Sequence, residues 1–475
     1  MSNSKKINDK KIYNSVVKII NTMVELDLTI PFNVVNQAQA EGAGFFINDK
    51  GYIVTAAHVV ANSVELWIRI PEKGKKIYRA EIVCVYPDFD IGIIHIKDFK
   101  NQYWLELGNS ESIDLRDKVY AIGYPNNSDY PIVTSGTISG RRSSYIQTDT
   151  PINPGNSGGP ILNEKNEVIG ITSAVLSGSE NSSLIIPINI AKNNLKSMIG
   201  SKTKVIHKNV LGIWWVNGTD NYRDMYNITG SCSEGIIVKK IIKGSPMEQL
   251  VHEGDMICGF NDGTNNYKLD YFGEANVEWE NGKIPLEILV SRCQPKQKVS
   301  MDIYCIHDGK TRTIKFSLKT YEEIYPIKSI FPHLDKIDYE VFAGLIVMDL
   351  TLNHLFMPEF NNLLYLVENE QIAKPQLVIT HIFPNSKISQ YDTIPNYTLV
   401  KFINDIPVST LSEFREAIKK PIVKNKKSFI TVETSNKNRV ILNLDEILEE
   451  EDELINLFNY KPSKLFSYFK KYSKK

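Results

Sequence analysis

No apolar run in this 475-residue chain approaches the ~20 consecutive residues that a helix needs to cross a bilayer, so no membrane span is expected. An excess of one charge is missing as well. The 55 Lys and Arg are matched by 55 Asp and Glu, for a net charge of +0. That balance excludes binding to nucleic acid or a membrane surface through bulk charge. Cysteine is scarce and scattered: Cys84, Cys232, Cys258, Cys293 and Cys305 are odd in number and show no CxxC spacing. A disulfide scaffold is therefore not expected, and the reading is a soluble, intracellular, cytoplasmic protein. The opening MSNSKKINDKK has no apolar stretch behind it, which argues against a secretory signal, and Asp9 with no Arg argues against a transit peptide. What is present is ordinary globular composition, 42% hydrophobic, in a chain long enough for roughly three domains.

From about residue 16 to 190 the chain alternates short apolar runs with Gly, Asn, Asp and Pro, as in GAGFFINDKGYIVTAAHVV, RAEIVCVYPDFDIGIIHI and NEVIGITSAVL. Short strands with turn signals at such close intervals predict an all-β barrel or sandwich. Residues 189–200, NIAKNNLKSMIG, read as a closing helix that stops at Gly200. Beyond Lys202 the texture changes. VLGIWW with EGIIVKKIIKGSPMEQLVHEGDMICGFNDG, and FAGLIVMDL with QLVITHIFPNSKISQ and NYTLVKFINDIPVSTLSEFREAIKK, each predict strand, strand, short helix and strand. They read as two diverged copies of one α+β module. The expected boundaries are a flexible N-terminus at 1–13, a barrel domain at 14–200 and modules at 205–322 and 338–445. Residues 446–475 read as a solvated acidic helix with a basic tail.

Within the barrel region, INPGNSGGPIL concentrates glycine and proline around Ser157, although both residue types are avoided in strands. A serine hydroxyl needs a base to take its proton and a group to orient that base. TAAHVV supplies His58, PDFDIGIIHI supplies Asp90, and GNSGGP supplies Ser157, in the chain order His, Asp, Ser. Gly155 and Ser157 can aim their backbone N–H groups into one oxyanion pocket, with Gly158 and Gly159 leaving room above the hydroxyl. Asp88 competes with Asp90 for the orienting role; Asp90 is preferred because it directly precedes the strand.

These stretches, with IQTDTPINPGNSGGPILNEKNEVIGI and IIPIN, resemble the HtrA/Deg family of serine proteases, and the C-terminal part resembles its two-PDZ branch. The resemblance implies a mainly β fold: a trypsin-like double β-barrel followed by two α+β PDZ-like domains. It implies His58 as general base, Asp90 as orienting carboxylate, Ser157 as nucleophile, and Gly155, Asn156 and Ser157 at the oxyanion hole. It further implies an ATP-independent endopeptidase that acts on unfolded or damaged protein and assembles from trimers, with no cofactor. The rival reading is a non-proteolytic PDZ scaffold or holdase, which has no use for a complete triad.

Pro151, six residues before the nucleophile, is expected at the base of the S1 pocket, with Ser173 also in that pocket. Pro151 offers no carboxylate for Lys or Arg, so cleavage after Val, Ile or Ala is expected. Asn156 is neutral and cannot pair with a freed N-terminus, so activation without zymogen cutting is expected. The loop at 176–183 falls in the region that orders the family's active site. Leu211, Gly212 and Ile213 stand where a PDZ domain holds a peptide carboxylate, with an assembly surface as the alternative role. The second copy lacks the turn formed by Gly254 and Asp255 in the first. Cys293, Cys305 and His307 are candidate zinc ligands by residue type, but no second ligand pair is visible in the sequence, so no metal site is expected.

Overall fold

The computed structural model describes residues 2–142, 144–175, 183–280, 282–367 and 371–472. Two compact units emerge, residues 1–23 with 38–324 and residues 24–37 with 325–475. Among the described residues no helix is long and apolar enough to cross a membrane.

The first unit opens with a seven-stranded antiparallel sheet. Its order is Ile77–Arg79, Ser63–Arg69, Val16–Leu26, Val34–Phe46, Tyr52–Ala56, Ile91–His95 and Glu81–Tyr86. A closed barrel follows, formed by Tyr145–Thr148, Ser183–Pro187, Val168–Val175, Pro160–Leu162, Lys118–Gly123 and Ile132–Arg142. Alternation along its strands sends Val119, Ala121, Ile161, Ile169 and Ile185 into the barrel interior. A second apolar cluster joins the two sheets: Phe45, Val54 and Ile93 from one meet Tyr124, Leu162, Ile171 and Ile186 from the other. The helix Ile188–Ile199 buries Ile190, Ala191 and Met198, which close this cluster. The fold class is thus the expected one, mainly β and built on barrel-like sheets.

The terminus expected to be flexible is instead a helix, Ser2–Ser15. Ile12 packs on the apolar cluster between the sheets, and Lys11 pairs with Glu106 at 3.6 Å. Polar composition at 1–13 concealed this anchoring.

Within the same unit, Ile213–Asn217, Ile236–Ile241, Met256–Asn261, Lys298–Cys305 and Lys310–Ser317 form an antiparallel sheet. Helix Leu286–Arg292 covers it with Leu286, Leu289 and Val290. This module is tied to the barrel by the Arg292–Glu111 ion pair and by Gln294 Nε2 donating to Asn193 O at 2.8 Å. Cys232 and Cys258 form a disulfide, which corrects the expectation of fully reduced thiols. The turn Gly230–Cys232 lies over strand Met256–Asn261, a tertiary approach that cysteine spacing cannot reveal.

The second unit carries a sheet ordered Glu340–Phe342, Leu345–Asp349, Leu377–Ile382, Thr398–Ile403, Lys427–Thr434 and Ile422–Lys424. Its helix Leu411–Ile418 starts at a reciprocal cap between Thr410 and Glu413. Leu28, Thr29 and Phe32 belong to this unit. Thr380 Oγ1 donates to Thr29 O at 2.8 Å, and Phe32 sits among Tyr339, Phe383 and Tyr460. The C-terminal segment is not the solvated helix that its charge suggests. Leu444 and Ile447 of helix Leu444–Phe458, with Leu465 and Phe469 of helix Lys464–Tyr472, are buried in the unit's core. Both helices are amphipathic, and burial of one apolar face overrides the charged composition of the other.

Candidate active site

Strand Tyr52–Ala56 runs antiparallel to Ile91–His95, with Ala56 opposite Ile91. The residues just beyond that last pair must therefore lie side by side. They are the helical turn Ala57–Val60, which carries His58, and Asp90. Asp90 has φ 55 and ψ 40, a left-handed conformation that aspartate tolerates better than most residues. The Ala57 N–H donates to Asp90 O at 2.9 Å, and the His58 N–H donates to Asp90 Oδ1 at 2.9 Å. His58 Nδ1 lies 2.8 Å from Asp90 Oδ2. Burial opposes ionisation of Asp90. The His58 ring bond and charge, the Ser173 hydroxyl and the His58 N–H together outweigh it and hold the carboxyl below its usual range. The competitor, Asp88, is engaged elsewhere. It faces His207 Nδ1 at 3.4 Å and accepts the Lys208 N–H at 3.0 Å.

Ser173 has a partner that its sequence context does not suggest. Its side chain is buried, and its hydroxyl donates to Asp90 Oδ2 at 2.6 Å, so it supports the carboxylate. The ladder between Val168–Val175 and Ser183–Pro187 slips between Thr172 and Ala174, which leaves Ser173 as the bulged residue. A bulge re-aims one side chain, and here it turns the hydroxyl toward Asp90. No local sequence signal marks this role.

The Ser157 loop is bonded on several sides. Ala43 N–H donates to Ser157 O at 2.8 Å, Gly158 N–H to Thr172 O at 2.8 Å, and Tyr124 N–H to Gly155 O at 3.0 Å. The glycines answer to these close approaches. A Cβ on Gly155 (φ 99) would overlap the Tyr124 carbonyl, and one on Gly158 (φ 81) would overlap Thr55 Oγ1 and Ala43 O. Gly158 and Gly159 thus make room for neighbouring backbone, not for a substrate above the hydroxyl. Among the described residues, the N–H groups of Gly155 and Ser157 donate to no protein group. The Asn156 N–H donates to Asn153 O at 2.9 Å, which removes it from the expected oxyanion set. Ser157 Oγ donates to Ser173 O at 3.3 Å, and no hydrogen bond joins it to His58.

Pro151 is exposed, with its carbonyl accepting from Thr134 Oγ1 at 3.1 Å, so it does not form a buried pocket floor. Its neighbours Thr150 and Ile152 are buried and uncharged. Of the loop expected at 176–183, residues 176–182 lie outside the described residues.

In the first module, Gly212 takes φ 66 and its carbonyl accepts the Ile242 N–H at 2.8 Å. Leu211 and Ile213 turn their side chains into the module's core. Ile213–Asn217 is an edge strand, paired through Ile236–Ile241 alone among the described residues. The matching turn of the second unit runs through Ala343 (φ 56) and Gly344 (φ 75), and there its own chain fills both positions. Glu340–Phe342 pairs with Leu345–Asp349 and takes the edge of the sheet in its place, and the Ala343 N–H donates to Glu451 Oε2 at 3.2 Å.

A trypsin-like peptidase domain model matches residues 42–171, which contain His58, Asp90 and Ser157. The chain is 29% identical over 279 residues to a probable periplasmic serine endoprotease DegP-like of Hahella chejuensis, covering 56% of this chain and 55% of that protein. It is 28% identical over 355 residues to a putative protease Do-like 3, mitochondrial, of Arabidopsis thaliana, covering 71% and 60%. A DegP-like protein of Pseudomonas putida is 31% identical over 240 residues, covering 47% and 48%. The chain thus spans about half to three-fifths of these relatives' length. A serine-to-alanine form of the HtrA-type protease AlgW with decapeptide shares the fold at a TM-score of 0.52, with 21% identity, covering 70% of this chain and 99% of that one. These relatives overturn the cytoplasmic expectation, because those from H. chejuensis and P. putida are named periplasmic. The Cys232–Cys258 disulfide suits an oxidising compartment of that kind.

Proposed function

We propose that this chain is a member of the HtrA/Deg family of trypsin-like serine proteases and an ATP-independent serine endopeptidase acting on unfolded or damaged protein, a reading supported by the matching trypsin-like peptidase domain and by the DegP-like and Do-like relatives. The observation that carries this reading is the pairing of His58 Nδ1 with Asp90 Oδ2 at 2.8 Å, beside a serine loop with two unengaged N–H groups. The reaction begins when Ser157 Oγ turns from the Ser173 carbonyl to His58 Nε2. His58 takes the hydroxyl proton as Oγ attacks the peptide carbonyl, and Asp90 stabilises the imidazolium that forms. The Gly155 and Ser157 N–H groups receive the oxyanion. Collapse returns the proton to the leaving amine and leaves an acyl-enzyme on Ser157. A water deprotonated by His58 then releases the acid.

In this reading residues 205–322 and 338–445 are PDZ-like. The first docks peptide along the edge Ile213–Asn217. The second, whose edge and turn are filled by its own chain, serves assembly. The protein works as a homo-oligomer built from trimers, which light scattering on the purified chain measures. The decisive experiment compares Ser157→Ala with the parent on unfolded casein, with labelling by a serine-reactive phosphonate in parallel. Loss of both cleavage and labelling, with the melting transition retained, is expected. Equal cleavage by variant and parent overturns the assignment in favour of a non-proteolytic holdase.

A further inference from the structure

Two loops of the first module bring a set of metal-binding side chains together at one end of its sheet, far from the serine in sequence. We infer that His252, Asp255, Cys305 and His307 form a binding site for a zinc-class divalent cation. The ligand atoms of His252, Asp255 and Cys305 all lie within 4.8 Å of one another, and His252 Nδ1 stands 3.6 Å from Asp255 Oδ2. The His307 ring meets the His252 ring edge-on, with centroids 5.0 Å apart. A tetrahedral ion with ligands at ~2.0–2.3 Å requires ligand–ligand edges of roughly 3.3–3.8 Å. The three clustered ligand atoms would draw together around the ion, and His307, which lies outside that cluster beside His252, would reach it by turning about its side-chain bonds.

The backbone holds the site from both sides. Asp255 Oδ2 accepts the His252 N–H at 2.8 Å, which closes the turn before strand Met256–Asn261. Asp255 Oδ1 accepts the Ile306 N–H at 3.0 Å, which pulls the hairpin carrying Cys305 and His307 onto that turn. Each carboxylate oxygen uses one acceptor position in this way and keeps another for an ion. Asp255 and Cys305 are buried and form the floor, while His252 and His307 form an exposed rim through which an ion can enter. Cys305 has no disulfide partner.

The donor set selects the metal. One thiolate, one carboxylate and two imidazoles suit zinc or cobalt, whereas magnesium and calcium require oxygen ligands. Thiolate and carboxylate together neutralise a divalent charge. Of the remaining charged groups nearby, Asp308 is paired with Arg312 and also accepts a hydrogen bond from the Cys305 thiol, which an ion would replace, and Lys310 stands opposite Cys305 in the hairpin ladder. His252 and Asp255 supply, from a different loop, the second ligand pair that the spacing of Cys305 and His307 does not reveal, and Cys293 plays no part because its thiol faces Leu289 O of the preceding helix.

The test is cobalt(II) titration of the full chain, purified with its disulfide intact and followed by absorption. One equivalent is expected to produce a thiolate-to-cobalt charge-transfer band and tetrahedral visible bands, both bleached by zinc. Cys305→Ser should remove the charge-transfer band, and His252→Ala and His307→Ala should each weaken cobalt binding at least tenfold. The two histidine substitutions are exposed and leave the core untouched, so they decide the matter even if Cys305→Ser fails to fold. No charge-transfer band in the parent, or unchanged cobalt binding in both histidine variants, overturns the site.

Discussion

Replacing Ser173 with Ala isolates the contribution of one buried hydroxyl to the proposed chemistry. The lost bond joins Ser173 Oγ to the ionised Asp90 Oδ2 at 2.6 Å. A hydrogen bond to a charged group contributes a net ~1.5–3 kcal/mol. Asp90 keeps two donors, both from His58, and its side chain is 18% exposed, so water makes good part of the loss. About 1.4 kcal/mol then remains to be felt at the transition state, where the Asp90 charge faces the imidazolium, and that is about tenfold in rate. The loss should fall on kcat with KM nearly unchanged, because Ser173 presents only its carbonyl to Ser157. The pH dependence has a defined sign. With its depressed pKa, Asp90 is ionised in the folded enzyme down to a pH below the usual carboxylate range, and removing a donor raises that pKa. The stability that ionised Asp90 contributes should therefore be lost at a higher pH in the variant than in the parent as the solution is acidified. Initial rates on fluorescent casein, with Ser157→Ala as the blank, measure the first effect, and acid unfolding of the two proteins measures the second. A variant within twofold of the parent in rate, with the same acid unfolding, refutes the role assigned to Ser173.

Two further changes probe the scaffold. Gly158→Ala places a Cβ against Thr55 Oγ1 and Ala43 O at φ 81, and the backbone strain of ~1–3 kcal/mol together with the overlap should cost more than about 3 kcal/mol; an unchanged thermal melt would show that the loop is less constrained than its hydrogen bonds imply. Burial lifts the Glu451 carboxyl to about 7 against its ordinary 4.5, while bonds from Tyr460 and Ala343 pull the other way. Its folded pKa thus exceeds its unfolded one, so the second unit should lose up to about 3 kcal/mol as pH rises from about 4.5 to about 7, and Glu451→Gln should flatten that slope. Buried His354, held near about 4, tilts stability the opposite way below about 6.5, so the comparison that counts is parent against variant at each pH. Parallel urea-denaturation slopes for the two proteins across that range would remove Glu451 as the cause.

What the sequence revealed was whatever is local along the chain. The strands around GNSGGP and TAAHVV were legible from their turn residues and apolar alternation, and so was the helix ending at Gly200. What escaped depends on tertiary contact. The bulge at Ser173 arises from a ladder slip between two strands, and composition carries no trace of it. The Asn156 N–H looked available in a glycine-rich loop but is closed by the Asn153 carbonyl. Cys232 meets Cys258 across a turn, and the two C-terminal helices are buried on one face despite their charged sequences. Charge predicts exposure only when no neighbour offers an apolar surface to cover.

The choice between Asp88 and Asp90 shows how a two-residue difference becomes a division of labour. Both carboxylates sit at one 3-10 turn, Pro87–Phe89, that ends in the left-handed Asp90. The reversal of direction at Asp90 sends its carboxylate to His58, while Asp88 faces the segment leaving the barrel. There Asp88 meets His207 and the Lys208 N–H, and just upstream Val85 exchanges backbone bonds with Lys204 and Ile206 at 2.8 and 3.0 Å. The strand leading into the turn is thus bonded to the connection that enters the first module, and the strand leaving it is bonded to the one before His58. Burial works against ionisation of both carboxylates, and in both hydrogen bonds and nearby positive charge outweigh it. The position of Asp90 is consequently set from two sides, by the barrel that presents His58 and by the connection through which the first module is attached.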